Sequence, residues 1–337
     1  MKKLLKDVKT LSIIGMQKNV GKTTVLNYIL KELSDRKIGL TSIGRDGEKE
    51  DSVYSVKKPS IFVKKGTVIA TTGEAINNTS LDVLLIKKTN ISTPMGDVEI
   101  VLALEDGFID LAGPSFNTQI NEVLRDILGE GVDLFIVDGA FSRKQMASNH
   151  MLESTILVTG ASYSTDVEKV VNDTYTTYKL LTLPKLNCDR VNDLINNYAV
   201  SIIDRNNNEY TFDLESALGS KEKIVSKLDK TSKYLIINGA LTHELVNHLV
   251  KYRQKLDRLT IVLKDGTKAF LDYDLYINLQ KINIDLKVIN RINLICLTYN
   301  PYSPLGYEFK DHIFRKMLED KIDLPIFNVL KIKEGKS

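Results

Sequence analysis

Ser12-Ile13-Ile14-Gly15-Met16-Gln17-Lys18-Asn19-Val20-Gly21-Lys22-Thr23-Thr24 is the stretch whose reading decides the fold. An apolar run, Leu11 to Ile14, ends at Gly15, and a polar loop then closes on Gly21-Lys22-Thr23-Thr24. Val25, Leu26, Ile29, Leu30 and Leu33 follow on one helical face. Strand, glycine loop and helix start are thus predicted in succession. Loop N–H groups and the positive end of a helix dipole then converge on one anion. In such a cradle Lys22 reaches the terminal phosphates of a nucleotide and Thr23 offers its hydroxyl to magnesium. Gly15, Asn19, Val20, Gly21, Lys22, Thr23 and Thr24 are the candidate nucleotide-binding residues. An ordinary βα turn that happens to contain Gly-Lys-Thr is the plainer alternative; the flanking strand and amphipathic helix weigh against it.

The commoner form of this motif leaves four residues between its glycines, whereas five separate Gly15 from Gly21. With that spacing the loop resembles those of dethiobiotin synthetase and the cobyrinate-type amidases. The resemblance is to the signal-recognition/partitioning class of P-loop NTPases. It implies an α/β fold with a mainly parallel sheet. Partitioning ATPases of that class carry a second lysine ahead of the invariant one, and Lys18 stands one position off its register.

The whole chain sets wider bounds. Its 337 residues suit about two domains or one large α/β domain. With 43% hydrophobic and 26% charged residues it has the composition of a soluble globular protein. A net charge of +3 gives no ground for a nucleic-acid partner. No apolar stretch approaches the roughly 18 residues of a membrane span, and Lys6, Asp7 and Lys9 interrupt the apolar core that a signal peptide needs. Cys188 and Cys296 lie far apart without metal-ligand spacing. A reducing cytoplasm is the simplest setting.

Further along, Lys37 to Ile43 reads as a second strand that ends in the charged loop Gly44-Arg45-Asp46-Gly47-Glu48. In a parallel sheet that loop opens on the same edge as the glycine loop. Asp46 is therefore a candidate to hold magnesium or orient an attacking water, with a solvated charge run as the alternative. From Val53 to Pro114 short β-type runs take over, and Asp106-Gly107 between two of them signals a hairpin. This predicts a β-rich insertion, a lid or docking surface, over about 53–114. A helix from about Asn117 leads to the buried-strand run Leu134-Phe135-Ile136-Val137-Asp138-Gly139. Asp138 has the form of an acid that steadies magnesium at a strand end. The rival is Asp110-Leu111-Ala112-Gly113; Asp138 is preferred because its strand is more apolar and follows a helix.

Ser154–Thr159 reads as another strand and Asp166–Leu181 as a helix, and the weakly patterned Pro184–Asn197 reads as a seam. The division predicted is residues 1–183, a nucleotide-binding domain, and 184–337, a second α/β half that could continue the same sheet. In that half Val200–Ile203 and Tyr210–Leu214 form a hairpin, and Tyr234–Thr242 echoes the character of Leu134–Ser142. A degenerate repeat and coincidence both remain open. Strands follow at Leu259–Leu263, Leu294–Thr298 and Pro325–Val329, with a helix at Glu308–Leu318. The loop Asn300-Pro301-Tyr302-Ser303-Pro304 is either a rigid turn or a cover for a nucleotide base, which makes Asn300 a further binding candidate. No Asn-Lys-x-Asp follows a strand, so guanine specificity has no support.

Taken together, these motifs resemble a family of reactivating-factor subunits for the adenosylcobalamin-dependent lysine aminomutase of amino-acid-fermenting bacteria. The likeness is carried by Ile13-Ile14-Gly15-Met16 with Gly21-Lys22-Thr23-Thr24, by Thr41-Ser42-Ile43-Gly44-Arg45-Asp46-Gly47-Glu48 and by Leu111-Ala112-Gly113-Pro114-Ser115. Val137-Asp138-Gly139-Ala140 with Ser142-Arg143, and Asn300-Pro301-Tyr302-Ser303-Pro304, carry it further. The resemblance implies ATP with Mg2+, a partner ATPase subunit and a cobalamin enzyme as client; a homodimer is left open. Lys22, Asp46 and Asp138 are the candidate catalytic residues, Thr23, Asp46 and Asp138 the candidate metal ligands. Two other functions fit a nucleotide loop: a carboxylate–amine ligase of the dethiobiotin synthetase type, and a nucleotide-sensing module without turnover. The ligase is the poorer match, because Gln17 and Arg45-Asp46 stand where that enzyme carries an acid and a lysine-proline.

Overall fold

The computed structural model describes residues 1–43, 61–139 and 151–333. Among these the chain forms β1 (Thr10–Gly15), α1 (Lys22–Glu32), β2 (Ile38–Ser42), β3 (Ile61–Val63), β4 (Val68–Thr72), α2 (Gly73–Asn77), β5 (Val83–Thr93), β6 (Gly96–Ala103) and β7 (Gly107–Ile109). Next come α3 (Asn117–Gly129), β8 (Leu134–Gly139), β9 (Ser154–Gly160), α4 (Val167–Leu181), α5 (Asp189–Asn197), β10 (Val200–Asp204), β11 (Glu209–Thr211), α6 (Lys221–Ser226) and β12 (Ser232–Ile237). The remainder is α7 (His243–Lys251), β13 (Leu259–Leu263), α8 (Tyr273–Lys281), β14 (Ile284–Val288), β15 (Leu294–Asn300), α9 (Asp311–Glu319), β16 (Ile326–Asn328) and α10 (Val329–Lys333). Two units result, residues 1–171 with those from 293 on, and residues 172–292. Among the described residues no helix is long and apolar enough to cross a membrane.

The first unit is organised by a sheet whose central strands β9, β1, β8, β2 and β4 are buried on both faces. Its order is β16-β15-β9-β1-β8-β2-β4-β6-β5. Neighbours from β16 through β4 are parallel, and β6 and β5 close the far edge antiparallel. Successive side chains along a strand point to opposite faces. Leu134 and Ile136 accordingly pack with Val25, Leu26, Ile29 and Leu30 of α1. Phe135 and Val137 pack with Ile120, Val123, Leu124 and Ile127 of α3 on the other face. Each such side chain contributes about 1.5–3 kcal/mol when fully buried, so both helices are held by their apolar stripes.

The β-rich stretch departs from expectation. β4, β6 and β5 extend the main sheet instead of leaving it, because Ile69, Val101 and Ala103 share the α1 core while Val68, Ala70, Val98 and Ile100 share the α3 core. β3 and β7 alone form a separate antiparallel ribbon. Asp106-Gly107 joins β6 to β7, strands of different sheets, and makes no hairpin. The hairpin is at Pro94-Met95, where Thr93 pairs with Gly96 and Gly96 takes a φ of 98°. Residues 53–60 lie outside the described part.

Chain organisation also differs from the division at residue 183. β15 and β16 return to the first sheet, β15 pairing with β9, so the second unit is inserted between β9 and β15 and is not terminal. That unit holds the sheet β11-β10-β12-β13-β14, parallel from β12 to β14. The expected hairpin is β10–β11. The expected seam contains α5, whose Val191, Leu194 and Ile195 pack on Ile203, Ile236 and Val262. Burial of that apolar face overrides the weak helix propensity of its asparagines.

In the first unit, residues 110–114 lie against the ends of β2 and β4. Gly113 N donates to Ser42 Oγ at 3.1 Å, Thr71 Oγ1 donates to Asp110 O, and Ala112 N donates back to Thr71 Oγ1. A Cβ at Gly113 would stand 1.9 Å from Ser42 O, whereas one at Gly129 meets nothing within 4 Å. Gly113→Ala is therefore expected to lower the free energy of unfolding by about 2–3 kcal/mol in a urea titration. Gly129→Ala is expected to be neutral or stabilising by up to about 1 kcal/mol.

Candidate functional site

The candidate site lies at the carboxyl edge of the first unit's sheet. β1 runs through α1 to strands on one side, while β9, β15 and β16 lie on its other side. In open α/β sheets ligands collect outside the strand ends where the order reverses in this way. Gly15 ends β1 there, and Met16 N donates to Val158 O on the neighbouring strand at 2.8 Å. The loop then turns through Asn19 (φ 63°) and Gly21 (φ 105°), a left-handed region cheap for glycine and tolerable for asparagine.

Lys22 opens α1 and folds back over the start of the loop. A Cβ at Gly15 would lie 2.9 Å from Lys22 Cγ and Cδ and 2.8 Å from Val20 Cγ2. Only glycine leaves that passage open. Lys22 Nζ donates to Gln17 O at 3.1 Å, so the ammonium is carried back onto the loop. The first-turn N–H groups of a helix have no partner within it. The N-cap of α1 is Gly21, which has no side chain to satisfy them. Backbone donors, helix dipole and ammonium together favour a negative ligand.

Asp138 stands on the strand next to β1, paired with Ile13 on one side and Ser42 on the other. Strand alternation puts it on the face of Leu134 and Ile136, the face that α1 covers. The residue keeps some exposure, yet its Oδ1 is sealed from solvent and has no hydrogen-bond partner. Burial raises its pKa above the ordinary carboxylate value, outweighing the opposing pull of the Lys22 charge and of the Gly139 N–H. An unpartnered carboxylate oxygen within reach of the Lys22 charge, on the sheet face that α1 covers, suits a hard divalent cation. Among the described residues no cluster of three or more His, Cys, Asp or Glu forms a protein cage for a metal. A cation here would draw on Asp138, Thr23 and the oxygens of its ligand.

A second wall comes from the C-terminal part of the same unit. A Cβ at Gly21 would lie 3.6 Å from Asn300 Cβ and 3.3 Å from Val329 Cγ2. Asn300 ends β15, and its Oδ1 accepts from Tyr302 N at 3.1 Å, the Asx turn that starts the following loop. Phe309 N donates to Pro301 O, and Tyr307 Oη donates to Ala161 O, tying that loop to the residues after β9. Ser162 Oγ from the same turn donates to Lys18 O at 3.4 Å.

The structure thus brings Gly15, Asn19, Val20, Gly21, Lys22, Thr23, Thr24, Asp138 and Asn300 to one edge. Asp46, Arg45 and Arg143 lie outside the described residues. Val329, with Asn328, Asp311 and Lys331 behind it, was not foreseen, since no short-range pattern joins Asp311 to residues near 330. Compared with models of protein families and with curated proteins, the chain matches none.

The raised pKa of Asp138 carries a pH dependence with a definite sign. Its contribution to stability is complete below the ordinary carboxylate pKa and is lost as pH rises through the higher folded value. Asp138→Asn should therefore leave ligand-free stability equal or higher at neutral pH, in thermal melts from about pH 4 to about pH 8. The same substitution should abolish any stabilisation by magnesium with a nucleotide.

Proposed function

We propose that this chain binds Mg-ATP and serves as a subunit of a reactivating factor for an adenosylcobalamin-dependent lysine aminomutase. The observation that carries the nucleotide part is the juxtaposition of two features. One is Lys22 folded over Gly15 at the N-terminus of α1; the other is the unpartnered Asp138 Oδ1 on the adjacent strand. In this reading the chain is a P-loop NTPase. Lys22 and the loop N–H groups hold the phosphates, and Thr23 and Asp138 hold the metal ion. Bound magnesium would neutralise charge on the phosphate oxygens. Asp46 is proposed to orient water, and Arg45 or Arg143 to balance developing charge.

The client is drawn from the sequence resemblance. Damaged cobalamin leaves an enzyme only if its active site opens. A nucleotide cycle supplies the difference in affinity between open and closed states that drives such an opening. The test is recovery of aminomutase turnover after inactivation, with and without this chain, its partner ATPase subunit and ATP. Recovery that needs all three components, and that is lost in Lys22→Ala, is expected. Recovery independent of Lys22, or none at all, would reject the assignment.

A further inference from the structure

We infer that the short C-terminal helix α10 is a positioning element for the glycine loop. Docking of α10 and occupation of the loop by a polyphosphate then stabilise each other. The inference rests on the nucleotide reading above. Gly21 is the N-cap of α1 and takes a left-handed φ of 105°. Two side chains border that backbone: a Cβ at Gly21 would lie 3.3 and 3.6 Å from Val329 Cγ2 and Cγ1, and 3.6 Å from Asn300 Cβ. Val329 thus bounds the space beside Gly21.

Val329 opens a five-residue helix, far too short to persist unaided. Two supports hold it. On the inner side Val329 is 1% exposed and packs in the same core as Val25, Leu26 and Ile29, with Leu330 beside it. On the outer side Asp311, at the start of α9, gathers three donors. Tyr299 Oη reaches Asp311 Oδ1 at 2.7 Å, Asn328 Nδ2 the same oxygen at 2.6 Å, and Lys331 Nζ reaches Oδ2 at 2.8 Å. Asn328 Oδ1 in turn accepts from Leu330 N at 2.9 Å, capping α10. Burial pushes the Asp311 pKa up, but the hydrogen bonds from Lys331, Tyr299 and Asn328 outweigh it and leave the carboxylate below its ordinary value. One network therefore ties β15, α9, β16 and α10 to Val329, the residue beside Gly21. Coupling between two sites is reciprocal, so if docked α10 favours this Gly21 conformation, a ligand that holds Gly21 there favours docked α10 equally.

Lys331 is the place to test this, because its side chain is half exposed and lies outside the core. Affinities for Mg-ATP and for pyrophosphate with magnesium would be measured on the full chain by competition with a fluorescent ATP analogue. Wild type, Lys331→Met, Lys331→Arg and Val329→Ala would be compared, with thermal melts to verify folding. Lys331→Met is expected to weaken both ligands equally, by about two- to fivefold, the scale of one exposed ion pair. Lys331→Arg should restore both, and Val329→Ala should weaken both further. Hydrogen exchange over residues 326–331 should slow when either ligand is bound. If wild type binds both ligands while Lys331→Met binds them equally well and exchange is unchanged, the inference falls and the nucleotide reading stands. A loss confined to Mg-ATP would also overturn it, since that pattern marks contact with the base. Wild type that binds neither ligand would remove the nucleotide reading and this inference with it.

Discussion

Lys22 passing through the space a Cβ at Gly15 would need is the constraint from which the rest of the site follows. For the lysine to fold back, Gly15 must lack a side chain and the loop must reverse within a few residues. Left-handed backbone at Asn19 and Gly21 produces that reversal. It also places a glycine at the N-cap of α1, so the first-turn donors of the helix face outward without a side-chain cap. The same reversal brings the ammonium close enough to Asp138 to oppose the rise that burial imposes on its pKa. Sterics at one glycine thus set the electrostatics of the whole edge.

The sheet is the platform that makes this geometry repeatable. β1 and β8 are packed on both faces, so neither can slip by one residue without moving every side chain to the opposite core. Asp138 is held on the α1 face by the alternation that buries Leu134 and Ile136. β15 returns from the inserted unit to lie beside β9, and Gly160 pairs with Asn300 at the same edge. A Cβ at Gly160 would meet Asn300 O at 2.6 Å, which makes a glycine necessary at that contact as well. Two chain segments about 280 residues apart, by comparison of Gly21 with Asn300, therefore wall one cradle.

Much of this was legible because it is local. The run Leu11–Ile14, the glycines and the apolar stripe from Val25 onward define β1, the loop and α1 within one contiguous window. Leu134–Gly139 reads as a buried strand for the same reason. What escaped is what depends on distant partners. Asp106-Gly107 looks like a hairpin turn, but which strands pair is decided by burial on both faces of the sheet, which no tetrapeptide records. The asparagine-rich stretch before Tyr198 hides α5, whose apolar face counts only once Ile236 and Val262 lie beneath it. The return of β15 stood only as one alternative, a C-terminal half continuing the first sheet, because a strand's period does not say which sheet it joins. The Asp311 network was invisible, since its members are separated by most of α9 and a strand.

Nucleotide binding through Lys22 is the central claim, and a calorimetric titration of Mg-ATP into the purified chain and into Lys22→Ala tests it most directly. The account predicts saturable heat for the wild type and a loss of about tenfold or more in affinity for the variant, the scale of one charge-assisted contact to phosphate. Equal binding by the two proteins, or no binding by the wild type, would contradict it.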